Sequence, residues 1–267
     1  NGMDGQINAN GYTYIYMAIR RPMKTPTAGT EVFSVSPSMS GSVQPAFDAP
    51  HVVDVGLYRR PAFTQDTHIA SRLTGIANLY TNTTAAEVNQ VENVWDFMDG
   101  WGGWTVTNTD NRAWNFKRAT GFMDVVCYVG GGSSTAVTHN LGVIPELIIG
   151  KDRDDGGANW GVYCAYAHDP TKSGALNNGS EGWAYSTITN SQTPTATTIN
   201  VTNALNQGGN SNVLYLFSTA PGVSKVGSYT GTGAALNVDC GFTAGARFIL
   251  IKRTDTAGDW YYWDYLR

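Results

Sequence analysis

The chain has 267 residues, of which only 14% are charged, and its formal net charge is −4. An average globular domain carries about 25% charged residues. A pI near 5.5 without a basic cluster argues against a nucleic-acid surface, and 42% hydrophobic content argues against disorder. No apolar stretch approaches the roughly 18 residues that a membrane-spanning helix requires.

The chain opens on Asn1-Gly2-Met3, with no basic and apolar leader, and stops just after an aromatic run at Trp263. It is therefore expected to be a segment of something longer. Taken in order, the runs rich in β-branched and aromatic residues are Tyr12–Ile19, Val52–Tyr58, Glu146–Lys151 and Asn212–Phe217. Gly, Asn, Asp and Ser clusters separate them, with Gly156-Gly157, Asn178-Gly179 and Gly208-Gly209 as the clearest turns. One helix is expected at Thr84–Met98. Val88, Val91, Val94, Trp95 and Met98 fall at helical spacing there, with Thr83 or Thr84 as N-cap and Glu87 three residues after Thr84.

Internal repetition organises the rest. Tyr128-Val129-Gly130-Gly131-Gly132 returns as Tyr229-Thr230-Gly231-Thr232-Gly233. Leu147–Arg153 returns as Phe248–Thr254, so that Tyr128 and Lys151 recur 101 residues later as Tyr229 and Lys252. Asn159-Trp160 returns as Asp259-Trp260. The close of the unit is seen at Trp114–Phe122 and Tyr215–Val223, and again at Ile15–Pro22, where Met17 faces Phe116 and Phe217. The expected organisation is a divergent unit at 1–122, with the tail of a preceding unit at 1–26. A full unit at 123–223 and the opening strands of a further unit at 224–267 follow. The fold class is all-β: antiparallel β-sandwich, jelly-roll-like repeats of about 100 residues, with at most one or two short helices.

Chemistry-bearing patterns are sparse. No GxSxG elbow occurs, and His51, His68, His139 and His168 are scattered. Asp96 and Asp99, flanked by Trp95 and Trp101, could act as a glycosidase pair, but exposed acids at a helix end explain them better. Asp152, Asp154 and Asp155 resemble the start of a calcium loop. Tyr163 stands where that loop needs its final acid, so a polar hairpin turn is the stronger reading. The glycine triplets lead into strand-like sequence and not a helix, which argues against a phosphate cradle. Cys127, Cys164 and Cys240 lack metal-ligand spacing; they read as buried free thiols, or as one disulfide with a thiol left over. No cofactor is expected.

Aromatic surface is the most plausible binding feature. Strand alternation places Trp260 and Tyr262 on one face and Tyr261 and Trp263 on the other. Trp101 and Trp104 form a second aromatic region around Gly102-Gly103. The glycan-binding candidates are Trp260, Tyr261, Trp263, Trp101 and Trp104, although core packing competes at every ring.

The strings Tyr14–Pro26, His139–Ile149, Pro221–Gly231 and Ile251–Asp255 resemble large tail-fibre and virion structural proteins of marine bacteriophages, cyanophages among them. The resemblance implies a non-enzymatic virion component in a tail fibre or host-attachment structure. It further implies homo-oligomeric assembly, with a trimer favoured, and contact with other virion proteins and host cell-surface glycan, without nucleic-acid binding or membrane insertion. The alternatives are a carbohydrate-binding module or glycan hydrolase of lectin-like sandwich type, and a capsid decoration protein.

Overall fold

The computed structural model describes residues 11, 13, 15, 17, 23–38, 44–102, 110–166, 172–179, 184–185, 188–189 and 192–266. The strand expected at Tyr12–Ile19 falls largely outside these residues.

Eight strands come first: β1 (Phe33–Pro37), β2 (Phe47–Asp48), β3 (Val55–Arg59), β4 (His68–Ser71), β5 (Ala77–Tyr80), β6 (Val88–Asn89), β7 (Gly100–Trp101) and β8 (Arg112–Phe116). Six form an antiparallel sheet in the order β1-β8-β3-β4-β5-β6, and β2 pairs with β7. The two-residue period of β8 sorts its side chains between two layers. Ala113 joins the core under β2 and β7, whereas Trp114 and Phe116 enter a second core on the opposite side.

The next eight strands are β9 (Met123–Val129), β10 (Thr135–Thr138), β11 (Leu147–Asp152), β12 (Gly161–Cys164), β13 (Lys172–Ala175), β14 (Ala184–Tyr185), β15 (Thr198–Val201) and β16 (Ser211–Phe217). Their large sheet runs β9-β16-β11-β12-β13-β14, and β10 pairs with β15. Strand for strand this is the order of the first sheet. Pairing agrees as well: Val55 opposes Phe116 and Ser71 in the first sheet, as Leu147 opposes Phe217 and Cys164 in the second.

Three apolar layers hold these sheets together. Phe47, Trp95 and Trp101 fill the first sandwich. Val137, Leu141, Ile148, Tyr163, Ile199 and Leu214 fill the second. Between the two large sheets lies the third and largest, which joins Trp114 and Phe116 to Trp160, Val162, Val213 and Tyr215. Each fully buried Val, Leu or Phe in such a layer contributes about 1.5–3 kcal/mol. The large sheets are apolar on both faces, so they stack as inner layers with the small strand pairs outside.

A last hairpin, β17 (Phe248–Lys252) and β18 (Trp260–Asp264), lays Phe248, Trp260 and Tyr262 against the edge of the middle layer. Its register repeats that of β11 and β12, with Phe248 opposite Asp264 as Leu147 opposes Cys164. The turns before β9 and before residue 225 also match. Ala119 bridges Met123 around Gly121 (φ 76°), and Ala220 bridges Ser224 around Gly222 (φ 71°). Both glycines occupy the left-handed region that other residues disfavour.

The fold is all-β and antiparallel, as expected, and the helical content of the described residues is two three-residue 3-10 turns at Gly29–Glu31 and Asn203–Leu205. The helix expected at Thr84–Met98 is absent. Glu87 N donates to Arg153 O and Gln90 N donates to Ile76 O, so tertiary partners take backbone groups that a helix would use, and Asn93 Nδ2 also reaches the carbonyls of Ile76 and Ala77. Val91 and Met98 stand exposed, and only Trp95 of the expected stripe reaches a core. None of the three cysteines is in a disulfide and all are partly exposed, which excludes the disulfide alternative.

Candidate binding surface

The hairpin β17–β18 is the site to which strand alternation leads. Phe248, Trp260 and Tyr262 are turned onto the middle core, so the opposite face presents Tyr261 and Trp263 to solvent at 55% and 47% exposure. Their rings lie 6.0 Å apart and 20° from parallel. Ile249 stands across the ladder from Trp263 and is exposed too. The Arg247 guanidinium sits 4.5 Å above the Tyr265 ring, extending the apolar platform with one cation–π contact. Beside the turn, Arg253 and Asp255 form an exposed ion pair at 2.7 Å.

The hairpin is fixed from beneath. Trp114 Nε1 donates to Asp264 Oδ2 at 3.1 Å, and Trp260 Nε1 donates to the Ala175 carbonyl at 2.9 Å. That second bond has a counterpart one unit earlier, where Trp160 Nε1 donates to the Tyr80 carbonyl at 2.9 Å. Tyr80 ends β5 and Ala175 ends β13, equivalent strands of the two sheets. Lys151 and Lys252 repeat in the same way. Lys151 Nζ donates to the carbonyls of Asp152 and Asp155 at 2.7 Å each, and Lys252 Nζ donates to the Gly258 carbonyl.

The other aromatic candidates separate. Trp260 is half-buried and serves the clasp just described. Trp101 is corrected to a core residue. It is 1% exposed, stacks on Trp95 at 4.8 Å and donates Nε1–H to Asn115 Oδ1 at 2.8 Å. A side chain at Gly56 would strike its ring, so a glycine inside β3 supplies the seat. No ring face of Trp101 is free to stack on a sugar. Trp104 lies outside the described residues.

The weak calcium candidate resolves into a turn. Asp152 Oδ1 accepts the N–H groups of Asp154 and Asp155, and its Oδ2 accepts Asn210 Nδ2. Asp154 Oδ2 accepts Ser211 N, while Asp155 binds Gly157 N and Gln207 Nε2. Those bonds lower the Asp155 pKa, the Gly157 N–H contributing most. The carboxylates cap backbone and are not gathered on a common point. Among the described residues, no group of three His, Cys, Asp or Glu is placed to hold a metal.

Two open clefts complete the surface. One of about 540 Å³ is lined by Gly132, Ser133, Thr202, Asn206 and Gln207, and another of about 420 Å³ by Met23, Thr120, His139, Asn140 and Thr197. His139 is the one titratable side chain in either. Its Nε2 lies 3.1 Å from the Thr195 carbonyl and its Nδ1 accepts Leu141 N, so both ring nitrogens are engaged in holding the loop. Burial lowers its pKa, and the same holds for His51 and His68. His68 is stacked on Tyr58 at 4.3 Å. Asp96 and Asp99 stand exposed at a bend.

The repeated tryptophan clasp was not anticipated from the residues, although Trp160 and Trp260 were paired by spacing. The signal lay in their position, each just before or at the start of the strand following the Lys151 or Lys252 turn.

A family model described as a domain of unknown function, DUF7483, matches residues 62–267. No curated protein and no solved structure matches the chain.

Proposed function

The chain belongs to the DUF7483 family, and we propose that it is a non-catalytic structural protein of a phage virion, a stackable segment of a tail fibre or host-attachment structure. The observation that carries the reading is the clasp. Trp160 joins the second sheet to the first, and Trp260 joins the opening of the next unit to the second, through the same bond to the same strand end. A contact that repeats in one direction extends an array, as heterologous contacts do. The resemblance of the repeat strings to phage fibre proteins supports the virion setting. In this reading copies of the chain associate into a homo-oligomer. Electron microscopy of the purified chain tests it. Elongated particles joined end to end are expected, and dispersed compact particles would refute it.

One observation favours a second reading, contact with cell-surface glycan. Tyr261 and Trp263 form an exposed, nearly parallel ring pair of the sort on which sugar faces stack. Glycan-array binding that disappears in Trp263→Ala is the expected result, and no binding by the unaltered chain refutes it.

A further inference from the structure

The two large sheets carry different residues at one equivalent pair of positions. Val55 of β3 and Leu147 of β11 correspond, so Arg59 stands where the second sheet has Lys151. Across the ladder, Arg112 opposes Arg59 as Val213 opposes Lys151. In the second sheet the cation is satisfied from within its own turn. Lys151 and Val213 are fully buried, and the Lys151 ammonium donates to the carbonyls of Asp152 and Asp155. In the first sheet two guanidinium groups replace one ammonium and one valine, and both arginines are partly exposed.

Among the described residues, nothing neutralises this pair. The Arg112 side chain has no hydrogen bond or ion pair there. Arg59 Nε is buried without a partner, and Arg59 Nη1 reaches only the Tyr262 hydroxyl, at 3.5 Å. The neighbouring carboxylates are committed elsewhere. Asp110 accepts Arg60 Nε at 3.1 Å and Arg60 Nη2 at 2.9 Å, while Asp264 accepts Trp114 Nε1 and Leu266 N. Strand alternation turns Arg59 and Arg112 to the face of Leu57 and Trp114, at the rim of the middle core beside Tyr262. Residues directly opposed in an antiparallel pair have Cβ atoms about 4.5–5.5 Å apart, and like charges there are destabilising. A buried, unpaired donor on a group that is always charged adds to that cost.

We infer that Arg59 and Arg112 form a binding site for an oxyanion: a carboxylate, sulfate or phosphate group, either free or carried on an acidic polysaccharide. Planar guanidinium forks donate paired N–H groups to such a group, a geometry that a lysine ammonium lacks. An oxyanion held between the two cancels their repulsion and supplies the acceptors that the chain withholds. The chain as a whole has a net charge of −4, so the attraction belongs to this pair and not to the general surface. The site depends neither on self-association nor on the ring pair of Tyr261 and Trp263.

Isothermal titration calorimetry at low ionic strength tests it, since salt screens such contacts. Sodium sulfate and sodium phosphate serve as free anions, alginate and dextran sulfate as polymer-borne ones, and neutral dextran as the control. Saturable binding of an oxyanion, with none of neutral dextran, is expected. Arg112→Gln should weaken it by about tenfold or more, and Arg59→Gln/Arg112→Gln should abolish it. Binding of the free anions assigns the site to a small ion, and binding of the polymers alone assigns it to an acidic polysaccharide. No saturable binding of any oxyanion, or binding unchanged in the double variant, overturns the site. Urea unfolding without anion provides the second measurement. Arg112→Gln removes a repulsion, so its midpoint should hold or rise. A lower midpoint would mean that Arg112 has a structural partner, and would overturn the inference as well.

Discussion

β11–β12 and β17–β18 are the same hairpin in two settings. They share register, a lysine folded back on the turn carbonyls, and a tryptophan N–H bonded to the preceding strand end. They differ in what covers the outer face. Ile148 and Tyr163 lie sealed under β10 and β15, whereas their counterparts Ile249 and Trp263 stand at 41% and 47% exposure. Local sequence is enough to set pairing and the clasp. Burial on the second face depends on strands contributed from elsewhere in the unit, so the two hairpins should differ in energy far more than in shape.

Truncating the clasp gives the largest contrast. Trp160 is fully buried, and Trp160→Ala is expected to cost about 3–5 kcal/mol in urea unfolding. Trp260 is half-buried, and Trp260→Ala should cost less than half as much. Equal costs would break the comparison. Next comes the outer face: Ile148→Ala is expected to cost about 2–4 kcal/mol, against about 0.5 kcal/mol or less for Ile249→Ala.

These contrasts mark what was legible in the residues. The alternation of Trp260, Tyr261, Tyr262 and Trp263 gave the two faces correctly, because a paired strand has one period and little else can intervene. The repeat spacing located both lysine turns. The expected helix at Thr84–Met98 failed because five apolar residues can meet a helical template by composition alone, while the carbonyls that capture Asn93 and the Glu87 N–H are distant in sequence. Trp101 is a glycan-binding candidate in the sequence because it falls in an aromatic-rich stretch, where core packing competes at every ring. What buries it is Gly56, a strand glycine whose missing side chain leaves room for an indole. That consequence follows from sheet layering and is invisible along the chain.

A smaller effect is expected at the middle core. The Tyr215 hydroxyl is fully buried with no hydrogen-bond partner among the described residues, and burial raises its pKa strongly. Tyr215→Phe removes an unsatisfied polar group and should raise stability by about 1 kcal/mol, read as a higher urea midpoint. β17–β18 has no equivalent residue, so its opening should not change.

The mildest effect is a pH dependence. Burial lowers the pKa values of His51, His68 and His139, all in the first two sandwiches. Protons then bind the unfolded chain first, below its ordinary histidine pKa of about 6.5. Stability is complete above that value and falls as the pH drops through it. Urea midpoints between pH 7.5 and 5.5, as about one unit on either side of that pKa, should decline toward the acid side. Residues 224–267 contain no histidine, so hairpin opening should show no such decline.

The most direct measurement is amide hydrogen exchange of β17 against β11 in dilute solution. If burial of the outer face, and not pairing, sets the energy of the hairpin, the β17 amides exchange quickly while those of β11 stay protected. Protection of β17 equal to that of β11 would contradict it.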